Sequence, residues 1–273
     1  MSSELSIVIP TYNERERLEH VVAAVTASFA AHHIDGEIVV VDDNSPDGTG
    51  QIADELRARF PLRVVHRPGK AGLGSAVMDG FAVATGRVLG VMDADMSHPP
   101  AIIPALFATL QALGVDMVVG SRYVPGGAWR NWPFPRVVMS RVACALARPL
   151  TPVHDAMSGL FVVRREAVEG VRIAAAGFKI GLELLLRSRI ASVAEIPYVF
   201  ADRVGGQSKM SRREATQFLF QLRALYGWKF VRGRLPRPGY QHLDPEQVQE
   251  LLDRRARALT PRSPSASSTS PSP

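Results

Sequence analysis

Apolar residues along this chain come in short bursts separated by amphipathic stretches. The first burst, residues 5–10, ends at a proline. The second, residues 37–42, is a nearly unbroken β-branched run ending in aspartate. That is the pattern of a strand covered on both faces. Further bursts stand at 62–66, 88–92 and 116–120. Between them, helical spacing of apolar positions predicts helices over 14–32, 49–60, 74–84 and 101–113. Strand and helix alternate strictly, so the pattern predicts an α/β fold with a mostly parallel sheet flanked by helices. Past Ser121 the rhythm breaks. Pro125-Gly126-Gly127 and Trp132-Pro133-Phe134-Pro135 mark a loop. A helix is predicted over 136–146, with strands at 161–164 and 194–199. Residues 216–230 set Phe218, Leu219, Leu222, Leu225, Tyr226 and Phe230 at helical spacing, interleaved with Arg223 and Lys229. Such a basic amphipathic helix either lies in a lipid interface or docks on its own core, and the pattern leaves both open. Residues 260–273 are mostly Ser, Pro and Thr and are predicted to form a disordered tail.

Composition narrows the classes. At 273 residues and 46% hydrophobic content, the chain can fill the core of one large α/β domain. One cysteine, Cys144, excludes an internal disulfide and fits a reducing compartment. Its apolar helical setting assigns it to packing. No signal peptide is visible: Glu4 leads straight into a strand. The longest stretch without Asp, Glu, Lys or Arg, residues 96–115, holds three prolines, a serine, a histidine, a threonine and a glutamine. That content argues against a membrane span, so the chain is expected to be soluble or peripheral. The net charge is +6, yet residues 203–262 carry 13 basic and 5 acidic side chains, a local +8. The C-terminal third is therefore expected to meet something anionic.

Candidate chemistry collects where predicted strands end. Asp93-Ala94-Asp95 closes the apolar run 88–92. Ligands of open α/β sheets bind at the carboxyl ends of strands. Two carboxylates there suit a hard divalent cation that takes its other ligands from water and substrate phosphates. Pro10-Thr11-Tyr12-Asn13-Glu14 follows the first strand and reads equally as a site segment or as helix entry. In Asp42-Asp43-Asn44-Ser45-Pro46-Asp47-Gly48-Thr49, turn and capping signals account for the later residues but not the acidic pair. Asp43 at the strand tip has the chemistry to bond a nucleobase or ribose. Gly69-Lys70-Ala71-Gly72-Leu73-Gly74 lacks both the P-loop ending and the dinucleotide fingerprint, and reads as a tight turn near a ligand. Arg122, in Gly120-Ser121-Arg122-Tyr123, again follows a strand. Arg136 and Ser140 lie one helical turn apart. Asp202-Arg203-Val204-Gly205-Gly206-Gln207-Ser208-Lys209 reads as a glycine-hinged loop carrying two cations. A metal with Arg and Lys around it is what a diphosphate requires.

Six segments in order, residues 10–14, 42–49, 72–76, 93–100, 120–123 and 203–209, resemble the dolichyl- or polyprenyl-phosphate β-mannosyltransferases, inverting enzymes of glycosyltransferase family 2 with the GT-A fold. The resemblance covers roughly residues 4–232. It implies a GT-A catalytic domain over 1–232, a C-terminal helical extension over 233–259 and the tail over 260–273. It implies a nucleotide pocket lined by Pro10, Tyr12, Glu14, Val41 and Asp43. Asp93 and Asp95 would hold Mg²⁺ or Mn²⁺, with the Ala94 backbone beside the diphosphate. Arg122, Arg136 and Ser140 would meet the lipid phosphate, and Arg203 and Lys209 the donor phosphates. Asp95, Arg122, Arg203 and Lys209 would be the catalytic groups. Asp155-Ala156-Met157-Ser158-Gly159-Leu160-Phe161 resembles another family stretch, with Leu160 where an aromatic is usual. Some relatives place Gln, a third metal ligand, where Ser97 stands. The implied reaction moves mannose from GDP-mannose to a polyprenyl phosphate at the cytoplasmic face of a membrane, where the enzyme is peripheral or held by a separate anchor protein. UDP-glucose is the rival donor. A non-catalytic nucleotide-sugar or nucleic-acid binder is the rival from another class. Nucleic acid is disfavoured, because the basic region lacks an aromatic strand platform.

Overall fold

The computed structural model describes residues 3–171, 173, 179–201, 212–232 and 237–259. The strands are β1 (Leu5–Thr11), β2 (Gly36–Asp42), β3 (Leu62–His66), β4 (Val88–Val91), β5 (Met117–Ser121), β6 (Ala128–Arg130), β7 (Phe161–Arg164), β8 (Ser192–Pro197), β9 (Val199–Ala201) and β10 (Gly239–His242). The helices are α1 (Arg15–Ala31), α2 (Thr49–Leu56), α3 (Leu73–Val83), α4 (Ile103–Leu113), α5 (Phe134–Ala147), α6 (Arg165–Val168), α7 (Ile180–Arg187), α8 (Arg212–Arg232) and α9 (Pro245–Leu259). Eight strands form one sheet in the order β10-β8-β5-β7-β4-β1-β2-β3, and β6 pairs with β9 in a separate ribbon. All pairings in the large sheet are parallel except those of β7, which runs antiparallel to β4 and β5.

Alternation along each strand feeds two apolar layers. Leu5, Ile7, Ile9, Ile38 and Val40 pack with α1, α2, α4 and α9 on one face. Val8, Val39 and Val41 pack with α3, α6 and α7 on the other. A third cluster joins α5, α7 and α8 through Cys144, Ala147, Leu182, Leu186, Phe218, Leu222 and Leu225. Cys144 is therefore a packing residue, and burial pushes its thiol up to about 12. The uncharged stretch around α4 is explained by burial: Ile103 through Leu110 are all buried, and α9 packs against this helix. No helix among the described residues is long and apolar enough to cross a membrane.

Several elements depart from the pattern-based expectation. The helix expected over 49–60 ends at Leu56, because Pro61 disfavours helical backbone at Phe60. Helix α7 has seven consecutive buried residues, Ile180 to Leu186. It lies between two cores, so it shows no amphipathic period to read. Strand β10 is short, polar and paired on one side only, so the 233–259 segment contributes a strand as well as a helix. Helix α8 docks Phe218, Leu222 and Leu225 on the core and leaves Phe220 and Phe230 73% and 89% exposed. Residues 202–211, with Arg203 and Lys209, and the tail 260–273 lie outside the described residues.

Candidate active site

Because β1, β2, β4, β5 and β8 point the same way, Tyr12, Asp43, Asp93 and Arg122 all arrive at one rim of the sheet. Reversed β7 brings the segment before it, Asp155 to Leu160, to that same rim. An all-parallel reading of the sheet would have placed that segment at the opposite edge.

At the β2 end, the acidic pair splits into two jobs. Asp42 is structural: its carboxylate accepts from the Ser45 hydroxyl at 2.5 Å, the Ser45 backbone N–H at 3.1 Å and the Thr11 hydroxyl at 3.4 Å. Asp43, buried, pairs with the Arg67 guanidinium. Arg67 also donates to the Ser75 hydroxyl at 2.6 Å and reaches Asp79 at 2.9 Å. The glycine-bearing segment after β3 thus carries the cation that orients Asp43. Tyr12 is partly exposed, with the Lys70 ammonium 4.3 Å from its ring centroid. The Glu14 backbone N–H donates to the Thr49 hydroxyl at 3.0 Å, and the Glu14 carboxylate lies 3.4 Å from Arg17. Pro10 pairs with Val41 in the ladder. The Val41 side chain is fully buried in the core, so only its main chain can line a pocket.

At the β4 end, the Asp93 side chain is 40% exposed. Asp95 is buried and accepts from the Ser97 backbone N–H at 3.0 Å. Met96 turns this loop through φ 62°. The Ala94 side chain is buried in the core. His98, 2% exposed, accepts from the Asp93 backbone N–H at its Nδ1, 3.3 Å away, which places its ring proton on Nε2. Burial pushes the His98 pKa down, against the pull of Asp93 and Asp95. Its field also includes Arg122 and Asp155, so one ring gathers both carboxylates and the arginine. Among the described residues, no three His, Cys, Asp or Glu side chains converge to hold a metal unaided. The donor set nevertheless fits a hard cation. It offers two carboxylates, and beside them the buried Ser97 Oγ makes no hydrogen bond to a described residue. The remaining ligands of such an ion come from water and phosphate oxygens.

At the β5 end stands a cationic pocket. Arg122 is 6% exposed. Its Nε and Nη2 donate to Asp155 at 2.7 and 2.6 Å, and its backbone N–H donates to the same carboxylate at 3.0 Å. Burial alone would lower the Arg122 pKa; the Asp155 carboxylate outweighs it and the net shift is upward. The Arg122 and Arg136 guanidinium carbons lie 5.0 and 4.3 Å from the Trp132 ring centroid, and each lies 5.6 Å from that of Phe200. The aromatic quadrupoles hold two like charges near one another before any anion arrives. Tyr123 donates to the Ser140 hydroxyl at 2.7 Å, which fixes Ser140 on the face of α5 that carries Arg136.

The structure therefore brings together Asp93, Asp95, Arg122, Arg136 and Ser140, with Tyr12 and Asp43 along the rim. Sequence reasoning placed His98 and Asp155 in motifs without giving them a role, and missed Lys179, Arg67 and the Trp132–Phe200 wall. Burial lowers the Lys179 pKa, as does Arg122, while Asp93 and Asp155 oppose the shift. Nothing local marks this lysine in the sequence. For Arg67 and His98 a signal exists: Arg67 directly follows a strand, and His98 stands three residues after Asp95.

The glycosyl transferase family 2 model matches residues 6–172. A dolichol-phosphate mannosyltransferase of Pyrococcus furiosus is 41% identical over 230 residues, which is 83% of this chain and 64% of that protein. The chain thus spans just under two thirds of that relative. A polyprenol monophosphomannose synthase of Mycolicibacterium smegmatis is 42% identical over 243 residues, 85% of this chain and 88% of that protein. Among solved structures, glucosyl-3-phosphoglycerate synthase of Mycobacterium tuberculosis, with Mn²⁺, UDP and glucosyl-3-phosphoglycerate, aligns with a TM-score of 0.61 at 23% identity. It covers 82% of this chain and 78% of that one, a likeness of fold. The strand-tip acidic pair, the reversed strand and these identities agree: the chain belongs to glycosyl transferase family 2, alongside the dolichol- and polyprenol-phosphate mannosyltransferases.

Proposed function

We propose that this protein transfers mannose from GDP-mannose to a polyprenyl phosphate with inversion at the anomeric carbon. One observation carries the reading: buried His98 lies beside Asp93, and its ring packs 5.6 Å from Phe200, over which both Arg122 and Arg136 lie. The names of the relatives supply the sugar and the lipid phosphate, and the resemblance supplies the nucleotide. Asp93 and Asp95 hold Mg²⁺ or Mn²⁺ in this reading. Such an ion, when bound, stabilises negative charge gathering on the leaving diphosphate. Asp43, oriented by Arg67, accepts from the nucleoside, and Tyr12 flanks it. Arg122, Arg136 and Ser140 bind the acceptor phosphate through charge-assisted hydrogen bonds. A phosphate monoester has its second pKa near about 6 and is already mostly dianionic at neutral pH. The nucleophile thus needs no dedicated base. The arginines offset the repulsion between two anionic reactants. Arg203 and Lys209 keep their assignment to the donor phosphates by resemblance.

The acceptor's lipid chain calls for an apolar surface next to Arg136. Helix α5 offers one: Phe134, Val138, Val142 and Leu146, spaced four apart, are exposed. Tyr226 and Lys229 of α8 reach the Leu146 and Pro149 carbonyls at 2.7 Å each, so the exposed apolar residues of α8 adjoin those of α5. In this reading the protein works as a peripheral enzyme at the cytoplasmic face of a membrane. The test is incubation with a short polyprenyl phosphate, Mg²⁺ and either GDP-mannose or UDP-glucose, followed by mass spectrometry of the lipid. Mannosyl-lipid formed only with metal is the expected product. Glucosyl-lipid alone would move the donor assignment, and nucleotide-sugar binding that EDTA leaves untouched would end the metal reading.

A further inference from the structure

Glu195, on β8, is a fully buried carboxylate. Its Oε1 accepts from the Asp155 backbone N–H at 2.9 Å. Its Oε2 accepts from the His154 backbone N–H at 2.8 Å and lies 3.1 Å from the His154 ring. Tyr240, on β10, donates its hydroxyl to the same Oε2 at 2.6 Å. A carboxylate with no solvent contact is tolerated only when its lone pairs are met. Here they are met by two successive peptide groups of one loop, by the His154 ring and by one tyrosine of the edge strand, whose hydroxyl also lies 2.6 Å from the His154 Nδ1.

That loop is the one that presents Asp155. The Asp155 side chain is fully buried and takes up the Nε and Nη2 edge of Arg122. Among the described residues the Arg122 Nη1 donates no hydrogen bond, which leaves that group for an anion. A rotation of the peptide between residues 154 and 155 would swing the Asp155 carboxylate and with it the guanidinium. We infer that Tyr240 and Glu195 are positioning residues: they lock the 154–155 peptides, so that Asp155 aims Arg122 at the acceptor phosphate. The C-terminal strand, outside the 6–172 family match and beyond residue 232, thereby becomes part of the acceptor site. This rests on the assignment of Arg122 to the acceptor proposed above.

The experiment uses the full-length chain, a short polyprenyl phosphate as acceptor and GDP-mannose as donor. Acceptor KM, donor Kd and thermal midpoint are measured for Tyr240→Phe, Glu195→Gln and Arg122→Ala. Tyr240→Phe keeps the ring and removes the hydroxyl. Glu195→Gln turns an NH₂ group toward a peptide N–H. Each is expected to raise acceptor KM roughly tenfold, the effect of one charge-assisted hydrogen bond, with donor Kd unchanged. If Glu195→Gln does not fold, Tyr240→Phe decides alone. Acceptor KM unchanged in Tyr240→Phe, while Arg122→Ala raises it, overturns the relay and leaves the acceptor site standing. Equal losses for donor and acceptor also overturn it, since a merely structural role predicts that. Arg122→Ala with normal acceptor KM overturns the reading on which the relay rests.

Discussion

At the scale of single residues, side chains of one type play opposite parts according to what meets them. Asp42 and Asp43 are adjacent, yet one is consumed by its own turn and the other faces an arginine. Asp93 stays exposed while Asp95 is buried against the next turn of its loop. Asp95→Asn keeps the shape and removes the charge. It should lower turnover by roughly 100-fold or more with the thermal midpoint near wild type; near-normal turnover would show that Asp95 holds no ion. Glu37 at the far end of β2 has a purely structural part. Burial alone would raise its pKa. Hydrogen bonds from Ser6, the Thr85 backbone, Arg63 and the Thr85 hydroxyl outweigh burial and bring it from 4.5 to about 2. A depressed carboxylate contributes stability that is present above its unfolded pKa and lost as pH falls through the folded one. Wild type should therefore lose ~3 kcal/mol more than Glu37→Gln between pH 4.5 and about 2, as read by denaturant melts. Parallel pH profiles for the two proteins would show that the carboxylate adds nothing.

At the scale of elements, close packing decides what composition does not. Gly80 in α3 lies against β1 and β2. A Cβ there would stand 2.5 Å from Val8 Cγ1 and 3.1 Å from Val41 Cγ2. Alanine would gain about 1 kcal/mol of helix propensity. Overpacking costs about 1–3 kcal/mol, and β-branched valines in two strands cannot turn aside. Gly80→Ala should therefore destabilise the protein on balance; a raised thermal midpoint would show that α3 can lift off the sheet. Gly127 makes the same point beside the site, since its Cβ would stand 2.5 Å from the Ser121 carbonyl oxygen. The elements legible in the sequence were helices with one buried face, such as α1, and strands whose unbroken apolar run is covered on both faces, such as β1 and β2. Helix α7, buried all round, and β10, buried hardly at all, offered no periodicity. The site was legible in the same measure. Asp93 and Arg122 stand directly after apolar strands. Asp155 comes before a strand, and only the reversal of β7 brings it to the rim.

At the scale of the whole molecule, charge and apolar surface are concentrated on one side of the chemistry. Helices α5 and α8 together expose Phe134, Val142, Phe220, Phe230 and Val231, with Arg141 and Arg223 among them. A soluble protein rarely displays so many large apolar groups without a partner. Val142→Asp with Phe230→Asp should cut sedimentation with phosphatidylglycerol vesicles several-fold, while turnover of a detergent-dispersed acceptor is retained. Undiminished vesicle binding would move the membrane contact elsewhere. Of the two expectations for residues 216–230, docking on the core is what α8 shows, and its bare face is the one assigned to the proposed lipid contact. By itself the sequence determined the alternation of strand and helix, and with it the rim on which the acidic pair and Arg122 must lie. Local periodicity and chain direction suffice for that. Only the tertiary structure decided which partners hold those groups. Asp155, Glu195, Tyr240 and Trp132 lie far from one another along the chain, and the field around a charged side chain is made by spatial neighbours.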